Sequence, residues 1–155
     1  MNNPTSHVQK QDNQFIHPWD NFQNLGNNQR TVVEKGDGIY IYDSQGNRLI
    51  DGPSGMWCVN IGHGREEMAQ AIYDQVMQLP YTSPWSMTTS PAAQFSEALA
   101  AEAPGDLNHV FLTTCGSTAV DSALRFVQFY NNYRGKPEKK KIISRLKGYH
   151  GSTYL

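Results

Sequence analysis

FLTTCGSTAVDSALRF, residues Phe111 to Phe126, is the stretch on which the fold turns. A β-branched, apolar run stops at Gly116-Ser117, and the residues after it have the period of a helix. The spacing predicts a strand over 109–114 and a helix over 117–133, ended by Gly135 and Pro137. A second strand is expected over 141–145. This βαβ order implies an α/β fold class with a right-handed crossover and a parallel pair of strands. Ligands in such sheets gather at the carboxyl ends of the strands.

Thr114 to Thr118 occupies that position. The first backbone N–H groups of a helix lack intrahelical partners, and the helix dipole adds partial positive charge there. Gly116 would let a ligand approach the backbone, and Ser117 and Thr118 add hydroxyls. Together they make a cup for phosphate. Neither GxxxxGK[ST] nor GxGxxG is present. Ser and Thr also cap helices that bind nothing, so this stretch alone leaves the two readings level. The end of the next strand, LKGYHGST (residues 146–153), would lie on the same sheet edge. It carries Tyr149 and His150 between glycines, and an aromatic face there could stack on a planar cofactor.

Working outward, residues 1–30 read as an N-terminal arm. The first 14 are rich in Asn and Gln, which predicts disorder, and FIHPWDNF comes next. Residues 31–64 read as an antiparallel hairpin unit and a glycine-rich loop. Its strands are predicted at Val32–Lys35, Ile39–Tyr42 and Leu49–Asp51. Residues 65–155 read as the beginning of a larger α/β domain. A helix is expected over 65–79, ended by Pro80, with Met68, Ile72, Val76 and Leu79 on one face. Another opens at Ser90-Pro91 with Ser90 as N-cap, and Phe95, Leu99 and Ala103 form its buried stripe.

The 155 residues suffice for one domain with a core, and the net charge of −1 gives no footprint for nucleic acid. No apolar run approaches the ~18–20 residues of a membrane span, and the N-terminus has no secretory signal. Two cysteines without CxxC spacing point to a reducing, cytoplasmic setting. His63, His109 and His150 lack metal-ligand spacing, so no metal site is expected. Asp121 and Arg125 read as a solvated ion pair on the helix. The chain stops at GYHGSTYL with a βαβ order unfinished, which predicts the N-terminal part of a longer protein.

Four segments in order resemble the class III, or ω-, aminotransferases of the fold-type I pyridoxal-phosphate (PLP) enzymes. They are HPW, GIYIYDSQGNRLIDGPSGMWCVNIGHGREEM, GSTAVDSALR and KKKIISRLKGYHGST. The resemblance covers about residues 15–155. It implies a partial fold-type I architecture: an arm and small hairpin unit, then the start of a mostly parallel sheet. Gly116 and Ser117 match the residues that hold the PLP phosphate. Tyr149 matches the aromatic stacked on the pyridine ring, with His150 and Gly151 completing its loop. Trp57 and Trp19 match substrate-pocket aromatics, and Trp85 matches a loop that reaches the neighbouring subunit's site. Thr118-Ala119-Val120 stands where many members have Glu-Ala-Asn, with Asp121 kept.

The resemblance further implies ping-pong transfer of an amino group from an amine or ω-amino acid to a keto acid such as pyruvate. It implies a homodimer too. The family's Schiff-base lysine belongs downstream of this segment, as do the carboxylate that pairs with the pyridine nitrogen and the substrate-binding arginine. No residue here matches them, Lys147 included, so the 155-residue segment alone is expected to be inactive. Two other readings compete: a non-catalytic module or dimerisation partner, and another reaction of the scaffold such as an aminomutase.

Overall fold

The structure is a computed structural model that describes residues 4–153. The chain divides after Tyr81 into two units.

The first described element of the first unit is a helix, α1 (Pro4–Asp12), where the sequence predicts disorder over residues 1–14; residues 1–3 of that stretch lie outside the described residues. Its composition has little apolar content to bury, and polar tertiary contacts hold it instead. Thr5 Oγ1 donates to Ser44 Oγ at 2.9 Å, and Gln9 Nε2 donates to the Arg30 carbonyl at 3.3 Å. Asp12 accepts from His17 at 2.8 Å and lies 3.4 Å from Arg30, whose guanidinium also reaches Asp20 at 2.5 Å. The HPW segment is therefore tied to the helix that precedes it.

Three strands come next: β1 (Val33–Asp37), β2 (Tyr40–Asp43) and β3 (Arg48–Ile50). They form the predicted antiparallel sheet in the order β1-β2-β3. The β2–β3 turn is built by Asp43, whose Oδ1 accepts the N–H groups of Gln45 and Asn47 at 2.9 and 2.8 Å. Cross-strand stacking of Arg48 over the Tyr40 ring, 4.5 Å from its centroid, adds to the register.

The glycine-rich loop is anchored back on this sheet. His63 pairs with Gly38 in a β-bridge, and its Nε2 lies 2.9 Å from Asp51 Oδ2. A Cβ on Gly36 would stand 2.5 Å from the His63 ring, so the imidazole lies on bare backbone there. His63 and the Gly55 N–H hold the Asp51 carboxyl below its ordinary pKa. A depressed carboxylate stabilises the fold above the ordinary Asp value of about 3.9, and the contribution is lost as pH falls through the lower folded value. Asp51→Asn is therefore expected to flatten the acid limb of a thermal-stability profile below about pH 4, and to lower the unfolding midpoint at neutral pH.

After a one-turn helix, α2 (Ser54–Trp57), helix α3 (Glu66–Gln78) ends as predicted. Leu79, before Pro80, is forced extended at φ −163°, ψ 100°.

In the second unit, α4 (Ser90–Glu102) is capped by Thr89, not Ser90: Ala92 N–H reaches Thr89 Oγ1 at 3.4 Å. With Thr89 extended at φ −120°, Ser90 and Pro91 fall inside the first turn. Helix α5 (Gly116–Tyr133) ends in a Schellman motif, with Gly135 at φ +70° and Lys136 N–H on the Asn131 carbonyl at 2.8 Å.

Two expectations fail for one reason. The stretches 109–114 and 141–145 carry no strand, and they do not pair with each other. No described apolar residue is buried: Phe95 is 53% exposed, Ile72 57% and Ile143 97%. Strands need ladder partners and apolar stripes need a covering layer, and the described residues supply neither. Among the described residues no apolar core forms, and the apolar faces of both units stay open.

Candidate functional site

The start of α5 is set by Cys115. Its backbone is extended at φ −165°, ψ 172°, and its N–H donates to Thr118 Oγ1 at 3.1 Å. The thiol takes the place usually held by a hydroxyl in this capping box. The N–H and hydroxyl of Thr118, followed by those of Ser117, lower the Cys115 pKa. A helix N-terminus favours negative charge, and the direction of this shift agrees with that.

Gly116 is the first residue of the helix. Its φ is not positive, and a Cβ built on it would meet nothing within 4 Å among the described residues. Neither backbone strain nor packing calls for glycine there, while glycine in a helix costs up to about 1 kcal/mol relative to alanine. The bare backbone faces open space, as close approach of a ligand would require.

The loop 148–153 folds onto this helix end. Ser117 Oγ accepts the Ser152 N–H at 3.2 Å and lies 3.5 Å from the Tyr149 hydroxyl. The Tyr149 hydroxyl donates to Ser152 Oγ at 3.3 Å. Ser117 and then Ser152 lower the Tyr149 pKa. Gly151, at φ +129°, passes so close that a Cβ would stand 3.1 Å from Ser117 Cα. One turn further along α5, Asp121 accepts a hydrogen bond from the Thr153 hydroxyl.

Ser117, Tyr149 and Gly151 are thus brought together as the sequence predicts, and Tyr149 remains 65% exposed. His150 lies against Gly148: a Cβ there would stand 2.5 Å from its Nε2. Sequence reasoning misses Ser152 and Thr153, because polar residues after a glycine read as plain loop. Helical spacing pairs Asp121 with Arg125, and it cannot show the bond from Asp121 to Thr153. Among the described residues no metal-binding cluster exists, and both cysteines are free thiols.

The model for aminotransferase class-III matches residues 22–155. The chain belongs to the class III aminotransferases. It is 42% identical to the putrescine–pyruvate aminotransferase of Pseudomonas aeruginosa over 137 residues, 88% of this chain and 30% of that protein. It is also 42% identical to the diaminobutyrate–2-oxoglutarate transaminase of Halomonas elongata, over 78% of this chain and 26% of that one. Among solved structures, a transaminase from the marine bacterium Virgibacillus matches at TM-score 0.90 and 39% identity, over 95% of this chain and 34% of that one. The chain therefore spans about a third of the length of these relatives. The likeness also establishes the PLP-transferase fold for the segment.

The three tryptophans of this class III chain are exposed: Trp19 at 77% and Trp57 at 76% in the first unit, Trp85 at 95% in the second. Trp57 ends a single left-handed turn, α2 (Ser54–Trp57). Ser54, Gly55, Met56 and Trp57 all have positive φ, from 49° to 66°. Hydrogen bonds from Trp57 N–H to the Pro53 carbonyl (2.7 Å) and Cys58 N–H to the Ser54 carbonyl (3.0 Å) close the turn. Left-handed geometry costs roughly 1–2 kcal/mol for each residue with a Cβ. Met56→Gly is therefore expected to stabilise the protein by about 1 kcal/mol, read as a rise in its thermal midpoint.

Proposed function

We propose that this chain supplies the phosphate cup, the ring-stacking aromatic and part of the pocket wall of a PLP-dependent transaminase. In this reading the N–H groups at Gly116 and Ser117 and the Ser117 hydroxyl hold the cofactor phosphate. Tyr149 covers one face of the ring, and its hydroxyl, held by Ser117 and Ser152, fixes the tilt of that face. Gly151 brings the loop to the helix end, and His150 completes the loop. Trp57 and Trp19 shape the substrate pocket, and Trp85 lies on a loop that serves the neighbouring subunit of a homodimer. Bound there, PLP supplies an electron sink for the transfer of an amino group.

The observation that carries this reading is Gly116, a glycine that the described protein does not need but an approaching phosphate does. The residues fit the group: an open helix N-terminus, a hydroxyl beside it and an aromatic ring tied to that hydroxyl. The reaction proposed is transfer of an amino group from an amine or ω-amino acid to a keto acid such as pyruvate. The putrescine–pyruvate enzyme among the relatives supports that choice of acceptor. The Schiff-base lysine, the carboxylate for the ring nitrogen and the substrate arginine are assigned to polypeptide outside these residues. Two free thiols fit a cytoplasmic setting.

The test begins with the coding frame beyond Leu155. A frame continuing through a strand-end Asp and a loop Lys supports the enzyme, and its product should form alanine from pyruvate with putrescine or an ω-amino acid as donor. Borohydride reduction with PLP should then trap the pyridoxyl group on a lysine outside residues 1–155. A stop directly after Leu155 would favour a non-catalytic module. A stoichiometric adduct on Lys147 would overturn the assignment of the missing lysine.

A further inference from the structure

The geometry points to Asp121 and Thr153 as positioning residues that staple the Tyr149 loop to α5 and so set the ring over the phosphate cup. This inference rests on the cofactor reading above. Ser117 and Asp121 are four residues apart and lie on one face of the helix. Ser152 and Thr153 are adjacent in the loop. Ser117 Oγ takes the Ser152 N–H at 3.2 Å, and Asp121 takes the Thr153 hydroxyl one turn further on. Two bonds at this spacing fix both the position and the direction of the loop, where one bond would leave a pivot.

The chain between Tyr149 and the staple is short and tightly seated. Gly151 passes close to Ser117, where a Cβ would stand 3.1 Å from its Cα. Movement at Thr153 is therefore transmitted to Tyr149 through three intervening residues, one of them pressed against the helix. Ser117 and Asp121 are half-buried, while Ser152 and Thr153 and both bonds they make are exposed. A bond to a carboxylate is stronger than one between neutral groups. Asp121 touches no proposed cofactor atom; its role is exercised through Thr153.

The experiment uses the product of the full reading frame, freed of cofactor, and pyridoxamine 5′-phosphate as a probe that binds without a covalent link. Dissociation constants and the induced circular dichroism of the bound probe are measured for Thr153→Val, Thr153→Ser, Asp121→Ala and the double variant Asp121→Ala/Thr153→Val. Ser117→Ala is the control for the cup. The expected result is about tenfold weaker binding and a changed dichroism band for Thr153→Val and Asp121→Ala. Thr153→Ser, which keeps the hydroxyl, should match the unaltered protein. The double variant should be no weaker than either single one, because both remove the same bond. If Asp121→Ala does not fold, the Val and Ser variants at Thr153 decide alone. Unaltered affinity and dichroism in Thr153→Val, with binding weakened in Ser117→Ala, overturns the staple and leaves the cup standing. Unaltered binding in both overturns the cofactor reading and the staple with it.

Discussion

Gly116→Ala is expected to leave the fold as stable as before, or more stable by up to about 1 kcal/mol, while weakening binding of pyridoxamine 5′-phosphate by at least about tenfold. The two effects have opposite signs because they arise from different atoms. A methyl group at Gly116 meets no described protein atom within 4 Å, and its backbone is not in the left-handed region. Alanine is also the better helix former. The same methyl projects into the space that the cofactor phosphate is proposed to fill. Thermal unfolding without ligand and a binding titration of the full reading-frame product check both halves. An alanine that destabilised the protein and left binding unchanged would mean that the glycine serves packing.

Gly151→Ala is expected to weaken binding by another route, destabilising the protein and damaging the seat of its loop. The added Cβ would lie 3.1 Å from Ser117 Cα and 3.2 Å from its Cβ, and φ +129° is a region that residues with a side chain rarely adopt. Helix backbone cannot yield as a flexible side chain would, so the loop must move. Strained backbone of this kind costs roughly 1–3 kcal/mol. If the loop lifts to escape that cost, the Ser117–Ser152 and Asp121–Thr153 bonds go with it. Binding of the phosphate probe should then fall by roughly ten- to a hundredfold. The hydroxyl of Tyr149 should also lose the partners that lower its pKa, which ultraviolet titration of the variant would show as an upward shift.

These two glycines show why part of the site is legible in the sequence. Gly116-Ser117 after an apolar run and Tyr149 between glycines are local patterns, and the structure joins Ser117 to Tyr149 although the flanking stretches form no strands. The elements that local rules govern are legible too. Pro80 stops α3, Gly135 closes α5 in a Schellman motif, and Asp43 makes the hairpin turn.

The features that escape the sequence are non-local. The stretches 109–114 and 141–145 have strand-like sequences, but a strand exists only against a neighbour. Phe95 and Leu99 have helical spacing, but burial needs a covering surface. Helix α1 forms through Ser44 and Arg30, far along the chain. The left-handed turn at Ser54–Trp57 is hidden because three of its four residues carry side chains that ordinarily avoid it. Asp121 reads as a partner of Arg125 because the two share a helix, whereas the contact it makes to Thr153 crosses to another segment.

The most direct test of the central claim is a crystal structure of the full reading-frame product with pyridoxamine 5′-phosphate bound. The account predicts the phosphate at the N-terminus of α5, within hydrogen-bond distance of the Gly116 and Ser117 N–H groups and the Ser117 hydroxyl, and the pyridine ring against the face of Tyr149. A phosphate held elsewhere, with the N-terminus of α5 capped only by Cys115 and Thr118, would contradict it.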